Sequence, residues 1–323
     1  MPEITYRDAI RDTLREALLE NDKVFIMGED IGIYGGAYAV TRGFIDEFGE
    51  KRIIDSPIAE SVIVGTGVGA AMAGLRPVIE IMTINFSLLA ADQIVNSAAK
   101  LHYMSGGQVS VPLIIRTVSG GGNMLGATHS QSLEGWYANV PGLKVVVPAT
   151  PYDARGLLKT AFKDENPVIF VEHSLLYGIR GEVPKESYTI PFGKADVKRP
   201  GKDVTIVAYL RMVHVALKAA AELAKEGIES EVVDLRSLKP LDAETVLESV
   251  KRTSRAVVVE EGWKTGGFGA QVAASIVEEG FDYLDAPVVR VAGKDVPMPY
   301  NRDLEQAAIP NYLDVMKAVR SVF

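Results

Sequence analysis

The sequence predicts an α/β protein built from two doubly wound domains. Short apolar segments with strand character alternate with helix-patterned segments along the whole chain. The strand segments are apolar on both faces, which is typical of a parallel sheet covered by helices on both sides. The alternation is interrupted once, in a stretch with three prolines, mixed charges and no clear periodicity. We therefore predict a first domain over 1–178, a linker over 179–202 and a second domain over 203–323.

Local signals mark where the helices of the first domain begin. Thr5 is a typical N-cap residue, and Asp8 is placed to complete a capping box with it. Thr150 caps a later helix, with Pro151 in its first position and Asp153 in its first turn. Apolar runs predict strands at 24–28, 52–55, 77–82, 111–117, 143–148 and 167–172. Helical periodicity predicts the intervening helices near 41–48, from 60, at 87–103 and near 131–138.

The second domain repeats the same alternation on a smaller scale. Apolar runs predict four strands, at 203–209, 230–235, 255–261 and 287–292. Helical periodicity predicts four helices, at 211–226, 242–253, 268–279 and 311–321. A strand followed by a helix in each repeat again indicates a mainly parallel sheet.

The composition excludes several classes of protein. The 323 residues include no cysteine, which rules out a disulfide framework, a thiolate nucleophile and a cysteine metal site. A net charge of −8 argues against nonspecific binding to nucleic acid, although this charge is also explained by solubility alone. The first residues lack the pattern of a signal peptide, and the longest uncharged run, 61–75, is shorter than the ~18 residues that span a bilayer. We expect a cytoplasmic protein that contacts no membrane.

Three glycines in the run after Glu60 suggest a nucleotide-binding turn, but their spacing does not fit one. Gly65, Gly67 and Gly69 form G-x-G-x-G instead of G-x-G-x-x-G, and they lie inside the predicted helix instead of at its entry. No G-x-x-x-x-G-K-[ST] motif occurs anywhere in the chain. Glycine in a helix interior costs about 1 kcal/mol relative to alanine. We therefore interpret these glycines as sites of close packing in a core or at a subunit interface.

Several longer motifs in combination resemble one family over essentially the whole chain. They are "DSPIAE" at 55–60, "GAAMAGLRPVIEIMTINF" at 69–86, "DQIVNSAAKLHYMSGG" at 92–107, the run from "HSQSLEGWYANVPG" to "NPVIFVEH" over 129–173, and "DAPVVRVAGKDVPMPY" at 285–300. The sequence resembles the β subunits of the thiamine-diphosphate-dependent decarboxylating component of 2-oxo acid dehydrogenase complexes. The resemblance implies a pyrimidine-binding α/β domain followed by a transketolase C-terminal-like α/β domain.

The resemblance also implies roles for four residues. Glu60 matches the glutamate that hydrogen-bonds a ring nitrogen of the aminopyrimidine, where a shared proton favours the imino form that generates the thiazolium nucleophile. Phe86 and Met82 match apolar contacts of the pyrimidine, and His129 matches the histidine that orients the oxo acid and assists acyl transfer to the lipoyl group. From the residues alone, Glu60 could instead be a helix-end acid, Phe86 and Met82 core residues, and His129 a surface histidine. The other three histidines, His102, His173 and His214, show no metal-ligand spacing and are interpreted as structural.

The segment "AFKDENP" matches a potassium site in relatives. The positions that correspond to its ligands are Leu113, Ala161, Phe162, Asp164 and Asn166. Several of these ligands are main-chain carbonyls, which a helix C-terminus leaves unpaired and which suit a hard cation. The alternative is a plain helix C-cap followed by a turn.

One half of a thiamine diphosphate site is missing from the sequence. Related enzymes hold the diphosphate through magnesium with a G-D-G motif followed by N-N, and neither is present; "GED" at 28–30 is the nearest string. The resemblance thus implies an α subunit that carries the magnesium and the diphosphate half, in an assembly of two α and two β chains. It also implies contact with the lipoyl-bearing dihydrolipoyl acyltransferase core.

The reaction that the resemblance implies is oxidative decarboxylation of a 2-oxo acid with reductive acylation of lipoyl-lysine. Family members that act on pyruvate are the nearest match, and "YGGAYAVTRG" at 34–43 leans the same way. Branched-chain 2-oxo acid and acetoin dehydrogenase β subunits remain alternatives because they share Glu60 and the histidine. A noncatalytic scaffold subunit and a nicotinamide dehydrogenase are alternatives from other classes, the second disfavoured by the broken glycine pattern.

Overall fold

The structure, a computed structural model, describes all residues from Met1 to Phe323 and separates them into two compact units. The first unit comprises Met1–Ser119 and Trp136–Phe192. The second comprises Gly193–Phe323 together with Gly120–Gly135, a segment from the first half of the sequence. The boundaries 1–178, 179–202 and 203–323 stay a proposal, and the predicted linker contains a strand at each of its ends.

The first unit is an α/β unit with a parallel sheet. Its strands are β1 (Glu3–Thr5), β2 (Val24–Gly28), β3 (Ile53–Asp55), β4 (Arg76–Ile81), β5 (Ile114–Ser119), β6 (Lys144–Val146), β7 (Val168–His173) and β8 (Arg180–Glu182). Its helices are α1 (Tyr6–Glu20), α2 (Phe44–Phe48), α3 (Glu60–Met72), α4 (Leu101–Met104) and α6 (Pro151–Ala161), and α5 (Glu134–Ala138) begins in the second unit. Six parallel strands lie in the order β6-β7-β5-β4-β2-β3, and β1 pairs with β8 in an antiparallel ladder.

Helices cover both faces of this sheet, as predicted. Val78 on β4 faces one side and belongs to a buried cluster with Ile10 of α1 and Leu157 of α6. Ile79, the next residue, faces the opposite side because strand side chains alternate. There it packs against Gly67 of α3. The doubly wound arrangement is therefore confirmed.

The predicted N-caps at Thr5 and Thr150 are confirmed. The capping box expected at Asp8 is only half formed, because its carboxylate accepts the hydroxyl of Thr5 at 2.6 Å instead of the backbone N–H. The single helix predicted over 87–103 is wrong. The Thr5 and Thr150 side chains accept hydrogen bonds from the backbone N–H groups of Asp8 and Asp153. The stretch 87–103 instead contains a 3₁₀ turn at Phe86–Ala90, a π-helical turn at Gln93–Ala98 and α4. At its start, the hydroxyl of Ser87 donates to the carbonyl of Ile84 at 2.6 Å, a side-chain bond that competes with a regular helical ladder.

Two glycines of α3 make a matched test of helix packing. A Cβ at Gly67 would lie 2.6 Å from Ile79 Cγ1 and 3.1 Å from Leu113 Cδ1, whereas a Cβ at Gly69 meets nothing within 4 Å. We expect Gly67→Ala to lower the free energy of unfolding by about 1–3 kcal/mol through overpacking. Gly69→Ala should raise it by about 0.5–1 kcal/mol because alanine is the better helix former. Thermal unfolding of the two variants measures both; equal effects would contradict the packing interpretation of Gly67.

The second unit carries the smaller sheet. Its strands are β9 (Asp196–Arg199), β10 (Val204–Ala208), β11 (Ser230–Asp234), β12 (Ser237–Lys239), β13 (Ala256–Trp263) and β14 (Val289–Gly293). Its helices are α7 (Arg211–Ala224), α8 (Ala243–Thr253), α9 (Phe268–Gly280), α10 (Arg302–Ala308) and α11 (Tyr312–Arg320). The five-stranded sheet has the order β14-β13-β10-β11-β9, with β9 antiparallel at the edge. None of the helices in either unit combines the length and hydropathy needed to cross a membrane.

A buried carboxyl group, Glu260 on β13, lies inside the second unit. It is 1% exposed, and its Oε2 accepts the backbone N–H of Gly269 at 2.9 Å. Its Oε1 has no hydrogen-bond partner, and Arg290 Nη1 is 3.8 Å from it. Burial raises the pKa of Glu260 to about 7, and the charge of Glu134 adds to this effect. The fold therefore favours the protonated form of this side chain.

This raised pKa predicts a pH dependence of stability. Glu260 binds its proton more tightly in the folded state, so protonation of Glu260 stabilises the folded state. This stabilisation is fully present below pH 4.5 and is lost as the pH rises through about 7. The loss amounts to about 3 kcal/mol by pH 8. We expect Glu260→Gln, which keeps the shape without the charge, to unfold at a higher temperature than wild type at pH 8. At pH 5 the difference should shrink. Glu278→Gln, an exposed change on α9, is the control, and an unchanged pH profile in Glu260→Gln would contradict the assignment.

Candidate functional site

Glu60 is the first residue of α3 and is a buried acid. Its side chain is 4% exposed. The preceding residue, Ala59, provides no side-chain cap, so the carboxylate lies at a helix start whose backbone N–H groups lack intrahelical partners. No hydrogen bond or ion pair to Glu60 occurs within the chain, although buried carboxylates are ordinarily paired. This side chain therefore suits a polar partner supplied from outside the chain.

A second carboxylate, Glu29, lies near Glu60. It follows β2 directly, and β2 pairs with β3, the strand that precedes α3. Burial and then the negative charge of Glu60 raise the pKa of Glu29 above its ordinary value. The two carboxylates therefore repel each other electrostatically at the carboxyl edge of the sheet. Sequence reasoning missed Glu29, although its place immediately after a buried strand was an available signal.

Met82 and Phe86 lie on the same edge of the sheet. Met82 follows β4 directly, and β2 separates β4 from β3 in the sheet. Phe86 begins the 3₁₀ turn that packs against α3. The backbone N–H of Ile84, between them, donates to the carbonyl of Val118 on β5 at 2.8 Å, which fixes the segment to the sheet. In open α/β sheets, ligands bind outside the carboxyl ends of the strands.

The same unit therefore brings together three of the four residues expected to contact cofactor or substrate. Glu60 supplies a buried carboxylate, and Met82 and Phe86 supply half-buried apolar side chains. This combination fits an aromatic heterocycle with ring nitrogens, because such a ring needs one polar partner and apolar contacts on its faces. The residues present are compatible with the aminopyrimidine of thiamine diphosphate. Their roles stay predictions.

The five positions expected to bind potassium lie close together, but several of their carbonyls already have donors. The carbonyl of Leu113 accepts the N–H of Val168 at 2.8 Å, and that of Ala161 accepts the N–H of Asp164 at 3.2 Å. Arg76 Nη1 donates to the carbonyls of Phe162 and Asp164 at 3.1 and 3.2 Å. A fixed positive charge therefore already faces two of the five groups.

The side chain of Asp164 is also engaged. Lys144 Nζ donates to its Oδ2, and Asn166 donates through its backbone and side-chain nitrogens to Oδ1 at 2.9 and 3.0 Å. Burial raises the pKa of Asp164 and the bonds from Lys144 and Asn166 lower it, with a downward net shift. Asp164 is thus stabilised as an anion by protein donors. Potassium at this place stays a prediction.

His129 belongs to the second unit and is presented by a glycine-rich loop. Its side chain is exposed, and its Nδ1 lies 2.9 Å from the hydroxyl of Thr128. Its backbone N–H donates to the carbonyl of Gly126 at 3.3 Å. Histidine is the side chain most often used as a general acid or base, so an exposed histidine on a loop suits proton transfer to or from a bound ligand.

Comparisons with known proteins agree with both units. Residues 2–179 match the family model for the transketolase pyrimidine binding domain, and residues 193–315 match the model for the transketolase C-terminal domain. A solved structure described as a split gene transketolase, inactive β4 tetramer, superposes with a TM-score of 0.81 at 30% identity. That comparison covers 99% of this chain and 98% of the other.

Relatives with assigned names are similar over nearly the whole chain. The pyruvate dehydrogenase E1 component subunit β of Rickettsia conorii is 51% identical over 320 residues, which cover 99% of this chain and 98% of that protein. The mitochondrial β-1 subunit of Arabidopsis thaliana is 52% identical, with 98% and 88% covered. The Rhizobium meliloti protein is 50% identical, with 100% and 70% covered. The chain belongs to the family of pyruvate dehydrogenase E1 component β subunits, with a transketolase-type pyrimidine-binding domain followed by a transketolase C-terminal domain.

Proposed function

We propose that this chain is the β subunit of a pyruvate dehydrogenase decarboxylating component, which decarboxylates pyruvate oxidatively and acetylates lipoyl-lysine reductively. The observation that carries the proposal is Glu60, a buried carboxylate without a partner in the chain, at the carboxyl edge of a pyrimidine-binding domain. The match with relatives at 50–52% identity supports pyruvate as the substrate.

The cofactor is thiamine diphosphate, bound here through its pyrimidine half. When bound, it supplies the carbon nucleophile that attacks the oxo group of the substrate. Glu60 holds and returns a proton at its carboxylate, facing a ring nitrogen. Met82 and Phe86 keep water from the ring and hold it in place. His129 orients the oxo acid and exchanges a proton at its imidazole during acyl transfer.

The diphosphate half of the site comes from an α subunit, and the magnesium ion is held mainly by that subunit. The absence of the G-D-G and N-N motifs supports this division. The similar solved structure, described as an inactive β4 tetramer of a split gene transketolase, also supports this division. The active assembly has two α and two β chains. On the exposed side of α3, Val62 is 63% exposed, and a Cβ built at Gly69 would meet nothing within 4 Å. This small, uncharged surface is a candidate contact with another subunit.

Three further features belong to the proposal. The lipoyl-bearing acyltransferase core is a partner of the second domain. Potassium binds near Asp164 in the assembly. The guanidinium of Arg76 competes with it for the carbonyls of Phe162 and Asp164. A cytoplasmic location stays a prediction that cell fractionation tests.

Co-expression with the α subunit tests the proposal. The purified complex is assayed for reduction of an artificial electron acceptor, with and without thiamine diphosphate, on pyruvate, 2-oxoisovalerate and acetoin. We expect thiamine-dependent activity that is highest with pyruvate. A preference for one of the other substrates would reassign the chain within the family. Activity from this chain alone would contradict the divided site, and no response to any substrate would support a noncatalytic scaffold.

A further inference from the structure

The glycine-rich loop that precedes His129 is held by two carboxylates of the second unit. The backbone N–H of Gly121 donates to Glu261 Oε1 at 2.7 Å. The N–H of Gly122 donates to Glu305 Oε1 at 3.0 Å, and that of Met124 lies 3.1 Å from both oxygens of Glu305. Three N–H groups of one loop segment therefore converge on two acidic side chains, as backbone groups do around a bound anion.

These carboxylates are buried, which makes them depend on the loop. Glu305 on α10 is 1% exposed, and Glu261 on β13 is also buried. Glu261 has a cation, Arg211, whose Nη1 lies 3.6 Å from its Oε2, whereas every hydrogen bond made by the Glu305 side chain goes to the loop. Hydrogen bonds to a charged acceptor are stronger than neutral ones, and a buried acid without donors is costly. Glu305 and the loop conformation therefore stabilise each other.

The loop needs this stabilisation because its backbone is unusual. Met124 has a φ of 57°, a left-handed conformation that costs free energy in a residue with a Cβ. Gly126 also has a positive φ, and a Cβ there would lie 2.3 Å from the Tyr300 ring. The carbonyl of Gly126 accepts the N–H of His129. The loop segment 121–126, held by the two carboxylates, is therefore linked by this hydrogen bond to His129.

We propose that Glu305 is a positioning residue for His129, assisted by Glu261: its carboxylate fixes the loop in the conformation that places the imidazole. This inference rests on the proposed catalytic role of His129. Glu305 does not itself contact substrate or cofactor. It acts through the N–H groups of Gly122 and Met124, and therefore through the backbone that leads to the histidine.

The test uses Glu305→Gln in the complex with the α subunit. The amide keeps one acceptor oxygen but loses the charge and the second acceptor, and its NH₂ group cannot accept a loop N–H. We expect amide hydrogen exchange across 121–126 to accelerate about 10- to 100-fold, while exchange in the β10 and β11 core stays unchanged. We expect kcat for lipoyl acetylation to fall by a similar factor, about 10- to 100-fold.

A double variant separates positioning from general damage. His129→Ala combined with Glu305→Gln should be no less active than His129→Ala alone, because the second change acts only through the histidine. Additive losses would overturn the positioning role. Asp303→Asn is the matched control, since Asp303 is an exposed acid on the same helix and makes no side-chain bond to the loop. It should change neither exchange nor kcat.

Amide hydrogen exchange tests the anchoring role of Glu305, and the activity of His129→Ala tests the catalytic role of the histidine. The two measurements are independent, so a failure of one proposal is distinguishable from a failure of the other. Unchanged exchange in Glu305→Gln would overturn the anchoring role, whatever His129 does. Full activity in His129→Ala would instead overturn the catalytic role of the histidine, and with it the claim that Glu305 acts through it. If Glu305→Gln does not fold, Glu261→Gln takes its place. It weakens the bond to Gly121 and also the ion pair with Arg211, and it leaves the bonds of Glu305 to the loop in place. We expect a smaller loss in the same direction, and the same results would overturn the proposal.

Discussion

Glu60→Gln is expected to lower pyruvate decarboxylation by the complex about 10²- to 10⁴-fold, the usual contribution of a group that transfers a proton. The amide has nearly the shape of the acid and is able to hydrogen-bond a ring nitrogen, but it cannot exchange a proton with it. Glu60 is buried, and no hydrogen-bond donor of the chain is paired with its carboxylate. Steady-state kinetics with pyruvate and an artificial acceptor measures the loss.

Cofactor affinity distinguishes proton transfer from simple loss of the site. Because the amide retains a hydrogen bond, we expect the Kd for thiamine diphosphate, measured by calorimetry, to change less than about tenfold. Asp46→Asn is the matched control, since Asp46 is an exposed acid in the first turn of α2 and undergoes the same change from acid to amide. It should leave kcat and Kd unchanged. Undiminished decarboxylation in Glu60→Gln would remove Glu60 from the mechanism.

Features that depend on neighbours along the chain could be predicted from the sequence. The caps at Thr5 and Thr150 use donors only three residues away, so the local pattern contains all the information. Ten of the fourteen strands coincide with predicted apolar runs, because a strand buried on both faces must be apolar throughout. The short strands β1, β8, β9 and β12 contain charged or polar residues and were not predicted. Most elements were therefore located to within a few residues, including α3, which was predicted to begin at Glu60 and does.

Features that depend on distant contacts could not be predicted in this way. The helix α10, with Glu305, is only seven residues long and has little periodicity, and its contacts with the loop join residues about 180 positions apart. The grouping of 120–135 with the second unit likewise depends on these contacts. The position of Glu29 after a buried strand is a local signal, but its proximity to Glu60 follows from the pairing of β2 with β3. No local signal in a single sequence records such pairings.

The buried ion pairs of Arg116 are another long-range feature that the sequence does not reveal. Arg116 lies on β5 and is 2% exposed. Its Nε and Nη2 donate to the two carboxylate oxygens of Glu172 on β7 at 2.7 and 2.9 Å, and its Nη1 donates to Glu80 on β4 at 2.7 Å. The hydroxyl of Tyr177 also donates to Glu172, at 2.6 Å. One guanidinium thus compensates two carboxylates within the sheet.

We expect Arg116→Met to lower the free energy of unfolding by about 3–5 kcal/mol, because it leaves two acids in the core without their cation. This corresponds to a drop in Tm of roughly 10 °C for a unit of this size. Adding Glu172→Gln should restore part of the loss, since it removes one of the uncompensated charges. Arg15→Met is the matched control: its exposed pair with Glu47 is worth less than about 1 kcal/mol.

The pH dependence of the Arg116→Met loss identifies its electrostatic part. Burial raises the pKa of Glu80, and Arg116 opposes that effect in the wild type. Without the arginine the folded-state pKa of Glu80 rises further, so the folded state gains from protonation at low pH and loses that gain as the pH increases. Thermal unfolding should therefore show a larger penalty at pH 8 than at pH 5. A penalty that is equal at both pH values would mean that lost packing of the arginine side chain, and not its charge, dominates the stability of this part of the sheet.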